Sequence, residues 1–161
     1  EPSNTIDILV DGDDYLYSGD VLDILYEKYL NTNCLITYGS YLSSRGVTGH
    51  KYPRLIRELN LYRKYFWYAS HLKTFRHDLW LSINKSDFLS HNGHYFSVAW
   101  DLALMFPMLE MAGNRQEFIK DILYFYNDQN PISDYKIRRK EQKLAAKEIR
   151  EKNRYKAKKF I

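Results

Sequence analysis

The first apolar run of the chain is short and ends at a group of acidic residues. Residues 6–10 are mostly apolar and partly β-branched, and residues 11–14 then bring three aspartates and a glycine. This pattern predicts a strand that runs into an acidic turn. Apolar side chains recur every three or four positions over residues 21–29, after a capping sequence at 18–20. They predict an amphipathic helix that ends near residues 31–33.

The rest of the body alternates strand and helix patterns. The strongest helical signal covers residues 98–112, with its apolar residues on one side and Gly113 as its stop. The other expected elements are strand pieces at 35–38 and 41–42, helices at 54–65 and 71–83, a last strand or helix at 118–126, and a loop at 127–134.

Composition limits the class of protein. The chain has 161 residues, of which 45% are hydrophobic and 27% charged, values typical of one globular domain with a core. Its single cysteine, Cys34, excludes a disulfide framework and a Cys-rich zinc module. The sequence shows no signal peptide and no apolar run of the ~18 residues that a membrane span needs. We therefore expect a protein that is cytoplasmic or peripheral to a membrane, and the start at Glu1 suggests a fragment.

The charge divides the chain into two regions. Residues 1–135 contain about twelve basic and seventeen acidic side chains, whereas residues 136–161 contain about twelve basic and three acidic ones. The tail is rich in helix formers, and Lys147 and Glu151 stand at helical spacing. Its apolar face is thin. The expected organisation is a body at 1–135 and a solvated or partly frayed basic helix at 136–161.

The acidic turn is the first candidate for chemistry. Carboxylates a few ångströms apart repel one another and raise one another's pKa, so a positive partner is expected. A divalent cation with a preference for oxygen ligands, Mg²⁺ or Mn²⁺, would fit and would leave coordination positions open for phosphates. The alternative is a purely structural turn, in which the aspartates cap the helix that follows.

Several blocks in order resemble a known family. The sequence of residues 8–16, followed by Val21-Leu22, resembles the strand and DxD motif of the GT-A glycosyltransferases, particularly family 2. Residues 37–41, 70–76 and 100–113 resemble later blocks of one branch of these enzymes, which has bacterial and large-virus members. The resemblance covers about residues 6–134. It implies an α/β fold, a partial GT-A-like (Rossmann-related) mixed sheet flanked by helices, here followed by the basic C-terminal helix.

The resemblance also implies roles for four aspartates. Asp11 and Asp13, with Asp14 in support, would bind Mn²⁺ or Mg²⁺ on the diphosphate of a UDP-sugar. Asp101 matches the position of the general base, which would activate a hydroxyl of a glycan, protein or lipid acceptor for an inverting hexosyl transfer. Taken alone, Asp101 is better explained as a cap at the start of a helix, and the family resemblance is what favours the general base.

Other candidates are less specific. His71, Lys73 and Arg76 form a basic cluster that would meet donor phosphate or acceptor, although one helical face cannot hold all three. The structural alternative for His71 is a satisfied core histidine. Glu110 is a second candidate carboxylate, or a side chain that simply faces solvent.

One departure from the family lies at the N-terminus. Such enzymes carry on the order of a hundred residues of Rossmann-like nucleotide-binding structure ahead of the DxD motif, and only residues 1–10 precede it here. We therefore expect the nucleotide-binding half to come from another chain or from a homo-oligomer.

The basic tail motivates a competing class. Residues 138–140 and 154–159 carry clustered lysines and arginines with interleaved aromatic residues, a composition typical of modules that bind nucleic acid or anionic surfaces. In a transferase the same segment would instead touch an anionic membrane leaflet or lead to a following domain. A metal-dependent nuclease with a Toprim-like DxD is a third hypothesis, for which no upstream Glu motif is visible.

Overall fold

A computed structural model of the chain describes residues 5–158. The fold is mixed α/β, and no helix in the described range is long and apolar enough to cross a membrane. In chain order the elements are β1 (Ile6–Leu9), β2 (Tyr15–Leu16), α1 (Val21–Asn31), β3 (Ile36–Ser43), β4 (Gly46–Thr48), α2 (Arg54–Glu58), a 3₁₀ helix (Tyr62–Lys64), β5 (Lys73–Arg76), α3 (His77–Leu81), a second 3₁₀ helix (Lys85–Phe88), α4 (Trp100–Ala112), β6 (Gln116–Phe125), α5 (Asp134–Ile137) and α6 (Arg139–Glu151).

One mixed sheet organises these elements. Its strand order is β1-β5-β3-β6-β2, and β4 pairs with β3 to form a hairpin. Strand β5 is antiparallel to both β1 and β3, whereas β3 and β6 are parallel. Strands β1, β3 and β6 therefore point the same way. The carboxyl ends of β1 and β6 and the amino end of β5 consequently lie at one edge of the sheet.

Helices cover both faces of the sheet. Ile36, Tyr38 and Phe75 belong to the larger core cluster, which is built around α4. Ile119 and Leu123 belong to a smaller cluster that includes the buried residues of α1. The mixed sheet flanked by helices that the sequence predicts is thus confirmed.

Helix α4 is more central than its sequence pattern indicates. Every residue from Leu102 to Ala112 is buried, so the helix has no solvent face. A helix that is apolar all round is expected in the middle of a core rather than on its surface. The helix expected at 98–112, with its apolar residues on one side, is therefore corrected to a helix that is buried on all sides from Leu102 to Ala112 and exposes Trp100 at its start.

Strand β5 corrects the helix expected at residues 71–83. The first part of that segment forms β5, and only the second part forms a helix, α3. Thr74 and Phe75 are both buried because β5 has a strand on each side and a covering layer on each face. A strand buried on both faces lacks the alternation of apolar and polar residues by which strands are recognised.

Two other boundaries also differ. The helix expected at 54–65 is divided into α2 and the first 3₁₀ helix, with Asn60 between them at a φ of 52°. The two strand pieces expected around Gly39 form one strand, β3, with an irregularity beside that glycine. A Cβ at Gly39 would stand 2.9 Å from the carbonyl oxygen of Ile119. Glycine at this position therefore permits the close approach of β3 and β6.

The basic C-terminal helix packs against the core on one side, so it is not solvated along its whole length. Ile149 of α6 is 0% exposed and belongs to the larger core cluster. The buried Arg63 guanidinium donates two hydrogen bonds to the Glu110 carboxylate, at 2.7 and 3.0 Å, and a third, at 2.6 Å, to the carbonyl oxygen of Ile149. The backbone N–H of Tyr155 donates to the same carboxylate at 3.0 Å. Glu110 therefore does not face solvent: it links α4 to the C-terminal segment through Arg63.

Removing one partner of this buried pair should destabilise the fold strongly. We expect Arg63→Ala to lower the free energy of unfolding by about 3–5 kcal/mol, because it leaves a buried carboxylate without its cation. Urea unfolding followed by circular dichroism measures this loss. Arg54→Ala is the matched control: it breaks the exposed Arg54–Glu58 pair and should barely move the midpoint. Equal effects of the two substitutions would contradict the structural role of the buried pair.

Candidate active site

Three segments meet at the edge of the sheet where β1 and β6 end and β5 begins. The acidic turn of residues 11–14 follows β1, Tyr126 and Asn127 follow β6, and His71 stands two residues before β5. A cavity of about 410 Å³ opens there, and its lining also includes Lys73 and Asp101. Ligands of α/β sheets bind beyond the carboxyl ends of strands. We call this cavity the acidic-edge cavity.

Hydrogen bonds from β6 fix the acidic turn. The backbone N–H of Asp14 donates to the carbonyl oxygen of Asp11 at 3.1 Å, which closes the turn. The Asp14 carboxylate accepts hydrogen bonds from the Tyr124 hydroxyl, at 2.7 Å, and from the backbone N–H of Asn127, at 2.8 Å. The Tyr124 hydroxyl also accepts the backbone N–H of Asp11 at 3.0 Å. Burial outweighs the hydrogen bonds and raises the pKa of Asp14, and the charges of the neighbouring aspartates add to this.

His71 is a buried, neutral imidazole beside the acidic turn. It is 8% exposed, and its ring stacks on those of Tyr124 and Tyr126, with centroid distances of 4.7 and 4.9 Å. Burial lowers the pKa of His71 to about 3, with a further contribution from the charge of Lys73. Its Nδ1 has no hydrogen-bond partner within the described residues and lies 3.9 Å from an oxygen of Asp11. An unsatisfied buried nitrogen next to a carboxylate is available as a ligand.

Asp11, Asp14 and His71 form a cluster suited to a cation. Each offers one ligand atom, and these three atoms lie within 4.8 Å of one another. Two carboxylate oxygens and one neutral imidazole suit a divalent metal, and the imidazole favours Mn²⁺ over Mg²⁺. The unsatisfied Nδ1 of His71 shows that the residues present fit such an ion.

Asp13 lies in the same cavity but outside this cluster. It is exposed, and its carboxylate accepts a hydrogen bond from the side-chain amide of Asn130. The sequence pairs Asp11 with Asp13, whereas in the structure Asp14 and His71 each bring a ligand atom within 4.8 Å of one on Asp11. The difference arises because Tyr124 and Asn127 turn the Asp14 carboxylate towards the sheet.

Asp101 lies in the first turn of α4, on the wall of the acidic-edge cavity. Burial raises the pKa of its carboxyl group, although the charge of Lys73 and a hydrogen bond from the backbone of Leu102 act in the opposite direction. Ala99, rather than Asp101, occupies the N-cap position, with a left-handed φ of 53°. Asp101 is thus a helical, partly buried residue that shares the cavity lining with Lys73 and Asp11. Lys73 itself is buried, with its Nζ 6.0 Å from the centroid of the Trp100 ring.

The structure places Arg76 away from the cavity. Its guanidinium lies at the opposite end of β5, where it donates to the carbonyl oxygens of Cys34 and Tyr29 at 3.2 and 3.4 Å. Because β5 is a strand rather than a helix, its two ends are separated, and only His71 and Lys73 reach the acidic edge. Arg76 is therefore not part of the candidate site.

Sequence reasoning missed the tyrosines that shape the site. Tyr124 holds the acidic turn, and Tyr126 stacks on His71. Tyr124 lies near the end of β6 and Tyr126 directly follows the strand, and their spacing of two places both side chains on one face of the sheet. Once residues 118–126 are assigned to a strand, the spacing of two between these tyrosines indicates that they lie on the same face.

Comparisons of the chain with protein-family models, with curated proteins and with solved structures found no match. The family resemblance of the sequence therefore remains a prediction, and the function of the site is argued from its geometry.

The cluster predicts which substitutions weaken metal binding. We expect His71→Phe, which keeps a ring for stacking but removes the nitrogen ligand, to weaken Mn²⁺ binding by at least about tenfold. Asp14→Asn should have a similar effect. Calorimetric titration with Mn²⁺ measures both, and His91→Phe is the matched control because His91 is exposed and bonded to Glu148. Loss of binding in Asp13→Asn, with normal binding in His71→Phe and Asp14→Asn, would instead support the Asp11–Asp13 pair.

Proposed function

We propose that this chain is the metal- and acceptor-binding part of an inverting, divalent-metal-dependent glycosyltransferase, which transfers a sugar from a nucleotide-sugar to an acceptor hydroxyl. One observation carries the proposal. A single cavity is lined by Asp11 and His71 of the carboxylate–imidazole cluster and also by the Asp101 carboxylate, whose pKa is raised by burial. Such a transfer needs both, because one group must bind the diphosphate and another must take a proton.

Asp11, Asp14 and His71 would hold the metal ion, with Asp13 on the same turn. When bound, Mn²⁺ or Mg²⁺ offsets the negative charge that develops on the departing diphosphate. Lys73 adds a fixed positive charge to the same wall. Its burial keeps this charge poorly screened by water, which strengthens its attraction for phosphate.

Asp101 is the proposed general base. As the acceptor oxygen attacks the anomeric carbon, Asp101 takes the proton of that hydroxyl, and the bond from the anomeric carbon to the diphosphate oxygen breaks. Attack from the face opposite the leaving group inverts the anomeric configuration. Burial, which raises the pKa of Asp101, makes its carboxylate a stronger base than an exposed aspartate.

The open edge of β1 supports a second part of the proposal. Among residues 5–158, β1 pairs with β5 alone. An apolar groove runs along β1 and α1 and exposes Leu22, Tyr26 and Leu30. An unpaired edge strand beside apolar surface is a site where further strands add to a sheet. We infer that a nucleotide-binding half, in the same protein or in another chain, extends the sheet here and supplies the contacts to the nucleoside of a UDP-sugar.

A second candidate function rests on the basic C-terminal helix. A cleft of about 770 Å³ between α6 and the first 3₁₀ helix is lined by several cations, including Lys64, Lys143 and Lys147. This cleft would attract phosphates of a nucleic acid or of an anionic membrane surface. Arg150 also lines this cleft, but its guanidinium already donates hydrogen bonds to the carbonyl oxygens of residues 62, 63 and 65. The acidic-edge cavity has no role in this function.

Titration of UDP with and without Mn²⁺ distinguishes the two functions. For a transferase we expect heat of binding that requires Mn²⁺ and that is lost in Asp11→Asn, because Asp11 would help to hold the ion that offsets the charge of the diphosphate. Asp121→Asn, an exposed aspartate of β6, is the matched control and should bind UDP normally. Salt-sensitive DNA binding that persists in Asp11→Asn, with no metal-dependent UDP binding, would favour the nucleic-acid-binding module.

Asp101→Asn tests the base. We expect it to keep metal-dependent UDP binding and to lower the turnover of a UDP-sugar, in the assembly that contains the nucleotide-binding half, by roughly 10²–10⁴-fold. Release of UDP gives the rate. Unchanged turnover in this variant would remove Asp101 from the mechanism.

A further inference from the structure

A second cavity lies beside the acidic-edge cavity, on the other side of Trp100. It has a volume of about 430 Å³ and lies between α3, the second 3₁₀ helix and the start of α4. Aromatic side chains form most of its lining. We call it the aromatic groove and define it by Trp80, Lys85, Phe88, Tyr95, Phe96 and Trp100.

Three of these rings are more exposed than core packing requires. Trp80, Tyr95 and Trp100 are 39%, 63% and 42% exposed, whereas Phe88 and Phe96 pack against the larger core cluster. Exposed apolar surface is unfavourable in water. Several large rings gathered around one concave surface are therefore typical of a binding site.

The wall that carries Tyr95 is held in place. Residues Leu89 and Tyr95 form an antiparallel bridge, and the N–H of Phe96 donates to the carbonyl oxygen of Phe88 at 3.0 Å. Lys152 donates to the carbonyl oxygens of residues 86 and 89, and its Nζ lies 5.6 Å from the centroid of the Phe96 ring. The groove is thus a preformed surface rather than a loose loop, which lowers the entropy cost of binding.

Trp100 joins the two cavities. It lines both of them and directly precedes Asp101 in the first turn of α4. A ligand that stacks in the aromatic groove would therefore lie next to the wall that carries the proposed base.

We propose that the aromatic groove is the acceptor subsite and binds a neutral or acidic pyranose ring of a glycan. This inference rests on the proposed transferase function, which requires an acceptor hydroxyl near Asp101. A pyranose presents C–H groups on its faces and hydroxyls on its rim. Aromatic rings stack on the C–H faces of the sugar. Its hydroxyls would be bound by the polar groups of the lining, which are the indole N–H of Trp80, the hydroxyl of Tyr95 and the ammonium of Lys85.

The chemistry of the lining selects this ligand over two others. An acyl chain would be expected in a channel of aliphatic side chains, whereas five of the nine lining residues here are aromatic and only three are aliphatic. A cationic ligand would be repelled by Lys85, the one charged residue of the groove lining. A sugar ring matches both the flat apolar surfaces and the polar rim.

Saturation-transfer NMR and calorimetry with methyl β-D-glucopyranoside, methyl β-D-galactopyranoside, methyl α-D-mannopyranoside, lactose and cellobiose test the proposal. We expect saturable binding of at least one of these probes. Trp100→Ala and Tyr95→Ala should each weaken it by about tenfold or more, because each removes a stacking surface. Phe66→Ala is the matched control, since Phe66 is an exposed aromatic residue, 72% exposed against 63% for Tyr95, and lies outside the groove. Tyr95→Ala should keep the wild-type melting temperature and Mn²⁺ affinity, which separates lost stacking from misfolding.

The outcomes distinguish this proposal from the transferase function on which it rests. Absence of glycoside binding in a protein that still binds Mn²⁺ and UDP would overturn the aromatic groove as acceptor subsite and leave the transferase proposal intact. Binding of octyl β-D-glucoside but of no methyl glycoside or disaccharide would also overturn it, in favour of a site for alkyl chains. Glycoside binding in a protein that binds no Mn²⁺ would overturn the acceptor role together with the metal-dependent transferase function.

Discussion

Strand β5 runs antiparallel between β1 and β3, and the candidate site depends on this placement. It brings the start of β5, with His71 and Lys73, to the same edge as the acidic turn that follows β1. Buried hydroxyls hold the arrangement: Thr74 of β5 is hydrogen-bonded to Thr37 of β3 at 2.6 Å and to Tyr29 of α1 at 2.9 Å. Buried polar groups that satisfy one another specify a unique alignment, because a shifted register would leave them unpaired.

The same placement determines the electrostatics of the acidic edge. Burial keeps His71 neutral, so it brings a nitrogen ligand to the aspartates without a competing proton. Lys73 provides the positive charge that partly stabilises Asp101. The carboxylates therefore lie at one edge of the sheet but have different environments. Asp14 accepts hydrogen bonds from Tyr124 and Asn127, whereas burial dominates the environment of Asp101 on α4. Groups of one type in different environments are suited to different tasks.

Local patterns predicted some elements well and others not at all. The strand before the acidic turn and helix α1 are confirmed because their signals lie within a few consecutive residues. Strand β5 could not be recognised, since its pattern depends on the two strands beside it. The preference of Asp14 over Asp13 depends on Tyr124 and Asn127, more than 100 positions away. The sequence thus named several residues that line the acidic-edge cavity, whereas their grouping required the tertiary structure.

The hydrogen bond from Arg63 to the carbonyl oxygen of Ile149 affects how the chain folds while it is being translated. Arg63 and Glu110 emerge from the ribosome well before Ile149, whose carbonyl oxygen accepts a hydrogen bond from Arg63. The Glu110 carboxylate likewise lacks one hydrogen-bond donor until the backbone N–H of Tyr155 has emerged. Until then, the pocket that receives the Ile149 side chain stays open to water, and α4 lacks part of its covering layer. A nascent chain therefore gains this stabilisation only after the segment that carries Ile149 and Tyr155 has left the ribosome, and it has most need of protection by chaperones before that point.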